Sequence, residues 1–127
     1  ISSIDKYTQL IKNITSINDF DDFINHSNLI FRFQLKNIPK NISDFRGRWG
    51  YFYEYYGKKI NFLKKIVNRR FQTLTYIGFN EDKLIKYIVN NKLKGIDRIV
   101  PVGRSLEIGL KWDGYDIIRI LSRYIAK

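Results

Sequence analysis

Three small groups of side chains have the types and spacing for chemistry. Arg46 and Arg48 flank Gly47 and run into Trp49-Gly50. Two guanidinium groups beside an indole can hold a phosphate bidentately, and basic residues interleaved with aromatic ones also suit the stacking of single-stranded bases. The same stretch reads equally as an aromatic strand packed in a core or a subunit interface. Asp113 and Asp116 are a carboxylate pair that general acid-base chemistry could use, yet three residues apart at a helix start they more naturally cap the helix and complement its dipole. His26, in a Ser/Asn-rich stretch, reads as a surface loop residue. With no Cys in the chain, disulfides, thiolate metal sites and a cysteine nucleophile are excluded from it. GxGxxG, Walker, HExxH and Ser/His/Asp patterns are also missing.

The charge of +11 and pI of 9.9 invite a nucleic-acid reading. That invitation is weakened by composition: Ile, Asn, Lys, Tyr and Phe abound and Ala126 is the one alanine, the bias of an AT-rich coding sequence. At 127 residues the chain has the length of one domain. It begins at Ile1 and has no Met, from which a piece of a longer polypeptide is expected. No apolar run reaches the ~20 residues of a membrane span and no leader is visible, so a cytoplasmic setting is the expectation.

The elements that must position these groups follow from periodicity. Ile4, Tyr7, Leu10, Ile11 and Ile14 mark an amphipathic helix over 3–14, and Phe20, Phe23 and Ile24 a weaker helical pattern over 19–24. Leu29, Phe31, Phe33 and Leu35 alternate as in a half-buried strand, and residues 37–43, with Pro39, break it. The glycines around Arg48 imply a bulge or close backbone approach before an aromatic strand over 51–56. Residues 58–70 read as a helix with a basic face. A strand over 71–77 stops at Gly78, Asn80 caps a helix whose apolar side is Leu84, Ile85, Ile88 and Val89, and Lys92, Lys94 and Gly95 suit its end. A buried strand over 96–102, limited by Pro101 and Gly103, completes a βαβ unit with parallel strands. Trp112 to Asp116 then turns into a terminal helix carrying Ile117, Ile118, Leu121 and Ile125. The fold class is α/β.

Three blocks carry a resemblance: Phe45-Arg46-Gly47-Arg48-Trp49-Gly50; Gln72-Thr73-Leu74-Thr75-Tyr76-Ile77-Gly78; and Gly95-Ile96-Asp97-Arg98-Ile99-Val100-Pro101-Val102-Gly103 with Trp112-Asp113-Gly114-Tyr115-Asp116. Over 45–127 the chain resembles the C-terminal part of the bacterial acyl-CoA reductases, fatty-aldehyde-forming relatives of the bioluminescence enzyme in the aldehyde dehydrogenase superfamily. Residues 1–44 then form a helical start and one strand. The resemblance implies the C-terminal portion of an aldehyde dehydrogenase-like fold, with a βαβ unit and a C-terminal helix. It implies NADPH as cofactor, acyl-CoA as substrate and a thioester-forming cysteine upstream of this chain. The chain would supply scaffold, interface and some active-site lining, as part of a homo-oligomer, and would be inactive alone. Arg46, Arg48, Trp49 and Gly50 would fall near the segment that holds the nicotinamide ribose, although this chain has no glutamate there. Trp112, Asp113 and Tyr115 would lie near the substrate mouth and subunit contacts. Two other readings stand beside it: a basic, non-enzymatic nucleic-acid-binding module, and an oligomerisation domain whose exposed aromatics form an interface.

Overall fold

The computed structural model describes residues 2–125 and divides the chain into two compact units, Ile1–Ile66 and Val67–Lys127. The class is mixed α/β.

The first unit opens with helix α1 (Ser2–Ser16), followed by strands β1 (Phe20–His26), β2 (Ile30–Leu35) and β3 (Tyr51–Tyr55) and, after a 3-10 turn at Ile60–Phe62, the short helix α2 (Leu63–Ile66). The sheet order is β1-β2-β3, with β1 antiparallel to β2 and β3 parallel to β2. A parallel pair needs a crossover, and residues 36–50 supply it. The alternation read over 29–35 holds from Phe31 to Leu35, whereas Leu29 lies before β2 and is 76% exposed; Phe31 and Phe33 are 0% exposed and centre a core with Leu10, Ile17, Leu35 and Tyr51.

Residues 20–24 are strand, not helix. Phe20 pairs with Leu35 and Phe23 with Phe33, so β1 spends three steps where β2 spends two. That extra residue is a β-bulge, and it brings two side chains three apart onto one face. Their rings lie 4.9 Å from Phe33 and 5.2 Å from Phe31 respectively. A bulged strand thus imitates the helical spacing. His26 ends β1 and is exposed, paired with Ile30.

Helix α1 forms as expected but buries a different face. Lys6, Leu10, Asn13 and Ile17 point inward, while Ile4, Tyr7, Ile11 and Ile14 stay exposed. The inward polar groups are satisfied. Asn13 Nδ2 donates to the Tyr51 hydroxyl at 2.9 Å and the Tyr53 hydroxyl at 2.7 Å. The Lys6 ammonium donates to the carbonyls of Asn28 and Leu29 in the β1–β2 turn and lies 5.0 Å from the Phe31 ring centre. Apolar spacing alone cannot register such partners.

The helix read over 58–70 contracts to residues 60–66. At Asn68 the chain turns: Phe71 N–H donates to the Asn68 carbonyl and Arg70 N–H to its side chain, an arrangement that competes with helical bonding.

In the second unit, β4 (Thr73–Tyr76) and β5 (Arg98–Pro101) pair in parallel and are joined through α3 (Glu81–Asn90), the βαβ unit read from the sequence. Asn80 caps α3 by accepting from Lys83 N–H at 3.0 Å, and Leu84 and Ile88 are its buried residues. The helix does not end at Gly95. Lys92 takes the left-handed conformation with φ 51°, Leu93 N–H reaches the Ile88 carbonyl and Lys92 N–H the Val89 carbonyl, a Schellman closure. Gly95, at φ 113°, instead lets the chain pass the Asn68 carbonyl, where a Cβ would stand 1.9 Å from the oxygen. Strand β5 is half-buried along its length, not fully buried as expected, because its sheet has only two strands. A hairpin of β6 (Lys111–Trp112) and β7 (Tyr115–Asp116) leads into α4 (Ile117–Leu121). That helix is shorter than its apolar pattern implied, and Ile125 lies beyond it.

Candidate functional site

The residues read as chemical form two local constructions, one in each unit. In the first, Trp49 and Gly50 have φ of 57° and 84°, and Tyr51 N–H donates to the Arg48 carbonyl at 3.0 Å. Two left-handed residues spanned by this bond are the signature of a type I′ turn. Gly50 is required twice over: its positive φ suits glycine, and a Cβ would lie 2.3 Å from the Leu29 carbonyl oxygen. Its own carbonyl accepts from Phe31 N–H at 2.9 Å, so the turn is riveted to a fully buried strand residue. Gly47 closes the other side, its missing Cβ lying 1.9 Å from the Tyr51 carbonyl oxygen. The close approach expected around Arg48 is therefore present on both flanks. Arg46, Arg48 and Trp49 all face solvent, Trp49 being 66% exposed.

Behind this turn the hydroxyls of Tyr51 and Tyr53 are titratable groups drawn inside. Burial pushes both above the ordinary tyrosine value, opposed in part by the Asn13 amide that donates to them. Gln9 adds a bond to Tyr53 at 3.2 Å. On the opposite face of the sheet, Arg32 grips Glu54 through two bonds of 2.6 and 2.9 Å and holds its carboxyl below the usual carboxylate range. These groups are structural. A small half-open hollow of about 200 Å³ is lined by residues 16–19 with Pro39, Asn41 and Phe45, and Asp19 is its one ionisable group.

In the second unit, Arg98 organises the segment that follows β5. Its guanidinium donates to the carbonyls of Ser105, Arg104 and Glu107 and lies 4.4 Å from the centre of the Trp112 ring. Residues 104–107 are thereby tied to the hairpin. Asp113 and Gly114, with φ of 50° and 81°, are its two-residue turn, as Asp-Gly in a hairpin demands. Asp116 caps α4 by accepting from Arg119 N–H at 3.1 Å. Of the two carboxylates expected to serve the helix, Asp116 does so and Asp113 serves the turn. Trp112 is half-buried under Arg98, whereas Tyr115 is exposed.

The structure thus places Arg48, Trp49 and Gly50 on one turn with Arg46 in the segment that leads into it, and Trp112, Asp113 and Tyr115 on one hairpin. Sequence reading missed Lys6 and Asn13, which stand where an apolar stripe would place core residues, and the anchoring role of Arg98. No cluster of three or more His, Cys, Asp or Glu able to hold a metal occurs among the described residues. No described helix is long and apolar enough to cross a membrane. No family model, curated protein or solved structure matches the chain.

Proposed function

We propose that this chain is the C-terminal part of an NADPH-dependent acyl-CoA reductase of aldehyde dehydrogenase-like fold, in which an upstream cysteine carries the acyl group and this part supplies scaffold, interface and active-site lining. The chemistry of the proposal comes from the resemblance of the 45–50, 72–78 and 95–116 blocks. The observation that carries its structural side is the extent of apolar surface left uncovered. On α1, Ile4, Tyr7, Ile11 and Ile14 form a helical stripe beside the face already packed on the sheet. In the second unit Leu106, Ile108, Leu110, Ile118, Ile120 and Leu121 are all exposed. Uncovered apolar residues in such numbers mark a surface built to be covered. An upstream catalytic and cofactor-binding region is the cover this reading provides.

Support also comes from how the third block is built. Arg98, Trp112, the Asp113-Gly114 turn and the Asp116 cap, separated in sequence, act together in one tied element. The cofactor enters more narrowly. The turn at 46–50 offers guanidinium donors and an indole face, but no carboxylate stands between Phe45 and Gly50 to accept ribose hydroxyls. It does not fit the nicotinamide ribose, and no step of hydride transfer is assigned to its residues.

The test is to probe extracts of the source cells with an antibody raised against this chain. The expected result is a polypeptide several times the 15.2 kDa of the chain, co-purifying with NADPH oxidation that depends on acyl-CoA and yields aldehyde. A band at 15.2 kDa, or a larger polypeptide without that activity, would refute the proposal.

A further inference from the structure

Trp49 occupies a position that folding alone would fill differently. At φ 57° a bulky side chain is an outlier, and the turn favours Asn or Gly there. Nor does the core hold the indole, since 66% of the residue is exposed. A strained residue whose side chain is turned outward, with no helix end to close as Lys92 has, points to a contact outside the chain. On either side of Gly47, Arg46 and Arg48 are exposed as well, and no described side chain pairs with either guanidinium. Three other arginines are engaged: Arg32 with Glu54, Arg104 with Glu107 and Arg98 with three carbonyls. Below the tip, the base of the turn is fixed by Gly50 to Phe31 and by Arg48 to Tyr51. The backbone that carries the ring and the nearer cation is thus fixed before any ligand arrives, which lowers the ordering cost of binding.

We propose that the Arg46–Gly50 turn binds a phosphorylated adenosine, with Trp49 stacking on the purine and Arg46 and Arg48 taking the ribose phosphate. The choice of ligand rests on the reductase reading, because both molecules in that reaction end in this group: NADPH carries adenosine with a 2′-phosphate and coenzyme A carries it with a 3′-phosphate. One indole and two guanidiniums within a five-residue segment match one base and one phosphate. A single-stranded nucleic acid needs a groove that tracks successive phosphates.

The full chain is titrated by calorimetry with adenosine 2′,5′-bisphosphate, adenosine 3′,5′-bisphosphate, adenosine and an oligothymidylate. One or both bisphosphates should bind at least about tenfold more tightly than adenosine, and the preferred isomer identifies NADPH or coenzyme A as the source. Arg46→Ala/Arg48→Ala and Trp49→Asn should each weaken that binding about tenfold. Because Asn suits a left-handed turn position, Trp49→Asn should melt at or above the temperature of the unaltered chain, which separates lost binding from lost fold. The proposal is overturned if neither bisphosphate binds at millimolar concentration, if Trp49→Asn binds as well as the unaltered chain, or if the oligonucleotide binds more tightly than both bisphosphates. A reductase-active parent with bisphosphate binding insensitive to Trp49→Asn removes this site alone. Bisphosphate binding lost in Trp49→Asn, with no reductase activity in the parent, removes the reductase reading and leaves the site.

Discussion

The guanidinium of Arg98 lies 4.4 Å from the centre of the Trp112 ring, and its nitrogens donate to the carbonyls of Ser105, Arg104 and Glu107. One side chain therefore does for residues 104–107 what secondary structure does elsewhere. Arg98→Lys keeps the charge but loses the planar fork, so several carbonyls lose their donor at once. The expected cost is about 1–2 kcal/mol, with faster cleavage between Gly103 and Leu110 in limited proteolysis. Arg104→Ala, which removes only an exposed pair with Glu107, should change stability by less than ~0.5 kcal/mol. Equal effects of the two substitutions in urea unfolding would contradict this account.

Asn13 is 1% exposed and donates to the hydroxyls of both Tyr51 and Tyr53. Asn13→Ala leaves the Tyr51 oxygen without its donor inside the unit and Tyr53 with only the longer bond from Gln9, at about 2–4 kcal/mol. Asn13→Leu should not rescue it, because the hydroxyls remain. Measurement of the urea midpoint for Asn13→Ala, Tyr51→Phe and the double variant gives the coupling directly; additive losses would show that the bond contributes nothing.

Alkaline pH probes the same pair. Burial raises both hydroxyls above the ordinary tyrosine value of 10.0, so in the folded chain they keep their protons where the unfolded chain loses them. Between those values the unfolded state binds fewer protons, and stability falls as pH rises. The stabilisation from keeping these groups neutral is fully present below pH 10.0 and is lost above it. Denaturant midpoints from pH 8 to pH 11 should decline, and Tyr51→Phe/Tyr53→Phe should decline less steeply. A slope unchanged by the double substitution would place the alkaline sensitivity elsewhere.

What was legible in the sequence, and what was not, follows from which interactions leave a local trace. The βαβ unit was legible because Asn80 before Glu81-Asp82 and the apolar pair Leu84 and Ile88 are all short-range signals. The close approach around Arg48 was legible because glycine flanks it. The inward face of α1 was not, since Lys6 and Asn13 are buried by partners 22 and 38 or more residues away. The bulge in β1 hid a strand behind helical spacing. The end of α3 was misplaced because Lys92, not the nearby Gly95, takes the left-handed position. The candidate turn at 46–50 was legible as composition, and its left-handed Trp49 only as geometry.

Glycine substitutions separate strain from collision. Gly78, at φ 72°, has nothing within 4 Å of where a Cβ would be, so Gly78→Ala should cost only the left-handed penalty of about 1 kcal/mol. Gly50→Ala adds a contact of 2.3 Å with the Leu29 carbonyl oxygen and disturbs the bond to Phe31 N–H. It should cost about 3 kcal/mol or more. Thermal unfolding of the two variants compares them, and equal shifts would mean that the turn yields without loss.

The uncovered apolar residues make a prediction about the chain on its own. Ile4, Ile11 and Ile14 are exposed on a helical stripe whose Tyr7 alone packs edge-on against Phe31, while Leu10, and Ile17 just past the helix end, hold α1 to its sheet. Replacing an outward residue therefore removes little native packing, and Ile11→Glu should change stability by less than ~0.5 kcal/mol. The same holds for Ile108→Glu, since that side chain is 84% exposed. Both should nevertheless alter solution behaviour, because the surface they interrupt will otherwise be covered by other copies or by dye. Sedimentation velocity should show concentration-dependent association of the unaltered chain and a larger monomer fraction in Ile11→Glu/Ile108→Glu, with weaker binding of a hydrophobic dye. A chain that stays monomeric and binds no dye would mean that these residues tolerate water, and would remove the structural argument that a larger protein covers them.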